Sequence, residues 1–137
     1  MLRAMWLAAL TGANVNTALT RKNNLCLCCA RCVAQWHGYT PGGGVTDRGH
    51  RDTGSLLTMS VLLSSPSSFE GAAFSVLRGE GSENERWVEI TDVASPGDAV
   101  IFPSELVHNV ATLTKGTRRS CVVELHEGGI YLHNRHR

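Results

Sequence analysis

From Cys32 onward the apolar residues fall into short blocks that alternate with polar ones, and turn-forming residues close each block. Cys32–Tyr39 reads as a strand ended by Thr40-Pro41-Gly42-Gly43-Gly44, and Val45–Asp52 follows as a short strand. Leu56–Leu63 is an apolar and β-branched run closed by Ser64-Ser65-Pro66-Ser67-Ser68. Ala72–Leu77 precedes a charged loop from Arg78 to Arg86, and Trp87–Ile90 and Ala99–Phe102 flank the turn signal Pro96-Gly97-Asp98. Val107–Leu113 alternates, Lys115-Gly116 turns the chain, and Thr117–Leu125 alternates again. About seven or eight short strands with turn signals roughly every 8–12 residues predict an all-β sandwich or barrel rather than a βαβ fold.

The N-terminal 29 residues show no such period. Arg3 followed by the apolar stretch Ala4–Leu10 has the outline of a signal peptide, but the apolar part is of minimal length and the cleavage site is poor, so a short helix or disordered leader is the preferred reading. The expected organisation is a leader over 1–29, one β domain over 30–126 and a polar tail over 127–137. His126, His133 and His136 are expected past the last strand, in solvated chain.

Length and charge narrow the classes. The chain has 137 residues, 42% of them hydrophobic and 18% charged, enough for one packed domain. A net charge of +1 gives no basic footprint for nucleic acid or a membrane surface. The longest apolar run, Ala4–Leu10, is far short of the ~20 residues that span a bilayer. Five cysteines, four of them crowded at Cys26, Cys28, Cys29 and Cys32, do not resemble a disulfide framework and favour a reducing, cytoplasmic compartment.

Three segments carry candidate chemistry. In His50-Arg51-Asp52, residues i and i+2 of a strand share a face, so an imidazole and a carboxylate can reach one point while Arg51 faces away. His108, on a distant predicted strand, supplies a second imidazole. Two histidines and one carboxylate form a facial triad that leaves open positions on Fe(II) for a co-substrate and dioxygen. Further on, Arg118 and Ser120 share one strand face with Val122, whereas Arg119, Cys121 and Val123 take the other. A guanidinium pointing into a barrel is costly unless an anion meets it, and a dicarboxylate is a natural partner.

The stretch from Tyr39 to Leu125 resembles the prolyl 4-hydroxylase-type branch of the Fe(II)/2-oxoglutarate oxygenases. The matching residues are Tyr39-x-x-Gly42, His50-x-Asp52, Thr58, Phe69-x-Gly71, Pro96-Gly97-Asp98 before Phe102, His108-x-Val110 and Gly116-x-Arg118-x-Ser120. The His-x-Asp pair alone is a weak signal; all the parts in order are a strong one. The resemblance implies a double-stranded β-helix (jelly roll) with Fe(II) held by His50, Asp52 and His108, and 2-oxoglutarate bound at its distal carboxylate by Arg118. It implies a dioxygenase that couples decarboxylation of 2-oxoglutarate to hydroxylation of a C–H bond, with a peptidyl proline in a protein or peptide as the expected substrate and L-ascorbate as an accessory cofactor. No catalytic residue beyond the metal ligands is expected. Gly71-Ala72-Ala73 departs from the family's paired glycines, and Leu62 stands where some members have a tyrosine that contacts 2-oxoglutarate. Thr58, Ser120 and Tyr39 are the candidates to replace that contact. The supporting helices that precede the family's barrel are not evident in the first 30 residues, as in a truncated or divergent member.

Other readings stand beside this one. A jelly-roll binding module without catalysis would keep the same ligands. A small zinc-binding interaction protein would use the cysteine cluster with His37, although Cys-x-Cys-Cys-x-x-Cys lacks two well-separated ligand pairs. His50-Arg51-Asp52 also spells a protein-kinase motif, but Leu57 stands at the Asn position, no Asp-Phe-Gly follows, and 137 residues cannot hold a kinase. Cys121 is expected as a small core residue and Trp87 as core or rim packing. Gly42-Gly43-Gly44 precedes neither a helix nor a lysine and is a turn, not a phosphate cradle.

Overall fold

A computed structural model describes residues 4–6 and 30–127. Ten strands occur there: β1 Ala4–Trp6, β2 Ala30–Tyr39, β3 Leu57–Leu62, β4 Phe69–Gly71, β5 Phe74–Arg78, β6 Arg86–Glu89, β7 Ala99–Pro103, β8 His108–Val110, β9 Leu113–Gly116 and β10 Arg118–Glu127. A five-stranded sheet in the order β1-β7-β3-β10-β2 faces a smaller β6-β5-β8 sheet, and β4-β9 forms a two-stranded ribbon. The described residues include no α-helix, and no helix there is long and apolar enough to cross a membrane. The architecture is the expected all-β jelly roll.

The core lies between the sheets. Val100 and Phe102 project from β7 onto Val76 of β5, with Phe74, Val88, Ile90, Val93 and Leu106 packed around them. A second cluster joins Ala72, Val110 and Leu113 to Tyr39, Val45, Phe69 and Phe74, so Phe74 belongs to both. On β3 the buried positions are Thr58, Ser60 and Leu62, two of them polar. On the same face of the neighbouring strand β10 the buried residues are Arg118, Ser120, Glu124 and His126. Polar residues with the inward parity of a strand mark the part of the barrel that faces a site rather than the oily core. The chain enters β10 through Gly116, whose φ of +77° suits glycine and where a Cβ would lie 2.0 Å from the Ser68 carbonyl oxygen.

Several expectations need correction. Val45–Asp52 is not a strand: beyond a single bridge from Val45 to Val110 it is a turn-rich loop. Asp47 is the reason, because its side chain accepts the Gly49 N–H at 2.9 Å and its carbonyl accepts the His50 N–H at 3.4 Å, curling the chain locally. Ala4–Trp6 is not helical but pairs in parallel with Ala99–Ile101, satisfying backbone groups on the far edge of β7. Strand β10 runs past Leu125 to Glu127, so His126 is no tail residue: it is 2% exposed inside the sheet. Trp87 is exposed and Cys121 only partly buried. Cys26, Cys28, Cys29, His133 and His136 lie outside the described residues.

Candidate metal and anion site

One cavity opens between the two sheets, and the chemistry-bearing residues meet in it. Its lining includes His50 and Asp52 from the turn-rich loop, Thr58 and Ser60 from β3, His108 from β8, and Arg118, Ser120 and Val122 from β10. His37 and Tyr39 come from β2, and Val45, Phe74, Phe102 and Val110 make the wall apolar.

His50, Asp52 and His108 each offer a ligand atom, and the three atoms lie within 4.8 Å of one another, an arrangement that could hold a metal ion. Asp52 sits between the imidazoles, with Oδ1 3.4 Å from His50 Nε2 and Oδ2 3.6 Å from His108 Nε2. Neighbouring ligands on an octahedral ion at ~2.1 Å are about 3 Å apart, so a small inward movement closes the set. The backbone brings these residues together directly, since the His108 N–H donates to the His50 carbonyl at 3.1 Å.

The surroundings hold His108 and Asp52 in the form a metal needs. His108 Nδ1 lies 2.9 Å from the Leu106 carbonyl, which accepts a proton there and leaves the Nε2 lone pair toward Asp52. Phe102 and Phe74 pack against the same ring, with centroids at 4.7 Å and 5.8 Å. Burial holds the His108 pKa below the ordinary histidine value despite the charge of Asp52. Thr58 Oγ1 donates to Asp52 Oδ2 at 2.8 Å and pairs with Ser104 Oγ at 2.9 Å, while the Asp52 N–H donates to the Ser104 carbonyl. Burial raises the Asp52 pKa, but the His50 hydrogen bond, His108 and Thr58 outweigh it and the net shift is downward. The hydrogen bond to Asp52 raises the His50 pKa against partial burial. Arg51 faces away, toward the Glu105 carbonyl and the Glu80 carboxylate.

Arg118 occupies the other end of the cavity. It is 6% exposed, and no carboxylate among the described residues pairs with it. Its Nη1 donates to Ser120 Oγ at 3.3 Å, and its Cζ lies 5.7 Å from the centre of the Tyr39 ring. Burial lowers its pKa, the sign of a charge removed from water without a compensating anion. Arg119, one residue along, is exposed.

Of the residues singled out from sequence, all seven (His50, Asp52, His108, Arg118, Ser120, Thr58 and Tyr39) line this cavity. Thr58 also buttresses Asp52, and Leu62 is buried on β3 outside the lining. Sequence reasoning passed over His37 as a cavity residue. Its ring nitrogens lie 3.4 Å from the Tyr39 hydroxyl and 3.2 Å from Gln35 Oε1, and burial lowers its pKa. The signal was present: Gln35, His37 and Tyr39 alternate on β2, opposite Val122, Ser120 and Arg118.

Comparison with known proteins agrees on the fold. No family model and no curated protein matches the sequence. Among solved structures, a prolyl-4-hydroxylase of Pseudomonas putida superposes with a TM-score of 0.59 at 20% identity, over 88% of this chain and 65% of that one. An oxidoreductase of the 2OG-Fe(II) oxygenase family from Burkholderia pseudomallei superposes with a TM-score of 0.55 at 17% identity, over 77% of this chain and 49% of that one. The chain thus spans 65% and 49% of the lengths of these two proteins and shares the jelly-roll fold of prolyl-4-hydroxylase-like 2-oxoglutarate oxygenases.

Proposed function

We propose that this protein is an Fe(II)- and 2-oxoglutarate-dependent dioxygenase that hydroxylates a C–H bond. The observation that carries the reading is the pairing, in one cavity, of a convergent His50–Asp52–His108 set with a buried, carboxylate-free Arg118. The donor set fits Fe(II): two imidazoles and one carboxylate on one side of the ion leave the opposite positions open. When bound, iron would use dioxygen and 2-oxoglutarate to convert an unactivated C–H bond to an alcohol, with succinate and CO2 as the co-products.

This chain's own residues perform the rest. Thr58 holds the Asp52 carboxylate and Leu106 sets the His108 tautomer, so two of the three ligands are oriented before a metal arrives. Arg118 offers a planar pair of N–H donors to the distal carboxylate, with Ser120 and Tyr39 beside it as hydroxyl partners. Phe74, Phe102, Val45 and Val110 give the cavity its apolar wall. A peptidyl proline is the proposed substrate, supported by the sequence resemblance and by the fold shared with a prolyl-4-hydroxylase. L-Ascorbate rests on the resemblance alone.

An anaerobic titration with Fe(II) and 2-oxoglutarate tests the reading. A visible charge-transfer band, followed by succinate on admission of oxygen, is the expected result. A band without succinate, even with proline-containing peptides present, identifies a binding module; no band at all removes the metal reading.

A further inference from the structure

The inward face of β10 does not end at the cavity. Beyond Arg118, Ser120 and Val122, the same parity presents Glu124 and His126, which are 5% and 2% exposed and lie outside the cavity lining. Both reach the loop that carries His50 and Asp52. Ser55 Oγ lies 2.9 Å from Glu124 Oε2 and 2.8 Å from the Asp52 carbonyl oxygen, and His126 Nδ1 lies 3.0 Å from the Gly54 carbonyl oxygen. His126 Nε2 is in turn 3.7 Å from Glu124 Oε2.

Loop and strand depend on each other here. The segment from Gly49 to Leu56 belongs to no ladder, so side-chain and isolated backbone hydrogen bonds must fix its course. The Leu56 N–H donates to the Leu125 carbonyl at 2.7 Å, which anchors the loop's end on β10. Gly54 turns the chain at a φ of +95°, and its carbonyl oxygen accepts from His126 Nδ1. Burying a carboxylate and an imidazole beside a β-sheet is costly, and an apolar pair would fill the same space without that cost. What the polar pair adds is a fixed position for Gly54 and Ser55, the second and third residues after Asp52.

We propose that Glu124 and His126 are positioning residues that clamp the Asp52–Ser55 turn to β10 and so set the direction in which the Asp52 carboxylate points. The inference rests on the reading of His50, Asp52 and His108 as metal ligands. One strand face then serves both ends of the site, with Arg118 acting at the anion and Glu124 and His126 acting through the loop on the metal.

The test uses the full chain, Mn(II) affinity by electron paramagnetic resonance, and the visible spectrum of the Co(II) form. Glu124→Ala should weaken Mn(II) binding about tenfold or more, the usual effect of losing a group that orients a ligand. It should also shift the Co(II) bands, because the carboxylate no longer meets the ion at the same angle. Glu124→Gln should recover part of the affinity, since its amide oxygen still accepts the Ser55 hydroxyl proton. Val123→Ala, on the opposite face of β10, is the control for general loosening of the strand and should leave the Co(II) spectrum unchanged. If Glu124→Ala does not fold, Ser55→Ala decides, being a small change that cuts the same link and carries the same expected shift. Wild-type Mn(II) affinity and an unaltered Co(II) spectrum in the folded variants would overturn the clamp while leaving the metal site intact. Absence of divalent-metal binding in the wild-type protein would overturn both.

Discussion

The two ends of the cavity are built by opposite means. At the anion end, Arg118 and Ser120 stand on a ten-residue strand, and the pleat alone turns them inward. At the metal end, His50 and Asp52 stand on a loop without a ladder, placed by the Asp47 turn, by Ser104 and by contacts to β10. The first arrangement is cheap to specify because a strand's register fixes every side chain at once. The second needs many separate hydrogen bonds, but it lets His50 and Asp52 approach His108 on β8 at angles that no flat ladder offers. The difference predicts which substitutions act locally and which spread.

Loss of a ligand should have the largest effect. With His108→Ala, two protein donors remain and Fe(II) or Mn(II) binding should fall below detection in a direct titration, and on the proposed function 2-oxoglutarate binding should weaken with it. Next comes Arg118→Ala, which should leave metal binding nearly unchanged. Removing one partner from a buried charge pair costs about 3–5 kcal/mol, so 2-oxoglutarate affinity should fall by a factor of roughly 150 to 4,000. Arg118→Lys should recover only part of it, because an ammonium cannot reproduce the two-pronged contact. If His108→Ala instead spared the metal, or Arg118→Ala abolished metal binding, the two ends would not be separable in the way their construction implies.

Thr58→Val examines the join between the ends, since Thr58 stands on a regular strand yet steadies the loop. The change keeps the shape but removes the hydrogen bonds to Asp52 Oδ2 and to Ser104 Oγ. Ser104 is 0% exposed, and a buried hydroxyl left without a partner costs about 1–3 kcal/mol. Metal affinity should drop about tenfold, the melting temperature should fall, and Thr58→Ser should restore both. An unchanged metal affinity with a lowered melting temperature would make Thr58 a packing residue only.

How much of this was legible in the sequence follows the same division. Strand parity placed Arg118 and Ser120 inward and Arg119 outward, because a period of two survives any uncertainty about where the strand sits. The same parity argument was applied to His50 and Asp52 and gave the right neighbours for the wrong reason: their loop is curled by Asp47, and turn hydrogen bonds rather than a pleat bring the side chains together. His126 was missed because an apolar pattern ending at Leu125 looks like the end of a strand; Glu124 lay inside the predicted strand, on the parity of Arg118 and Ser120, but a carboxylate there read as a solvated position. The ladder continues through Glu127 opposite Ala30, and polar residues on its inner face are paid for by the loop they hold. His37 was missed because its neighbour in sequence, the cysteine cluster, suggested a different chemistry. The exposed Trp36, 69% accessible, shows the limit of reading large apolar residues as core.

The smallest expected effect is the one that tests the register itself. Arg119 carries the same charge as Arg118 and sits one residue along, so a one-residue slip of β10 would exchange their roles. The pairing of Arg118 with Tyr39 and of Arg119 with Gly38 fixes the present arrangement. Arg119 contributes its backbone to the fold: its N–H donates to Ser64 Oγ at 2.8 Å, and its carbonyl accepts the Leu63 N–H at 2.9 Å. A change of side chain leaves those bonds in place. Arg119→Ala should therefore alter neither metal nor 2-oxoglutarate affinity, and its stability should stay within about 0.5 kcal/mol of the parent, as for an ordinary surface position. Measured beside Arg118→Ala in one 2-oxoglutarate titration, it separates a guanidinium aimed into the cavity from a general gain of positive charge on this edge of the sheet. Equal losses from the two variants would mean that long-range charge, not a directed contact, attracts the anion. A loss from Arg119→Ala alone would mean that β10 is out of register by one residue.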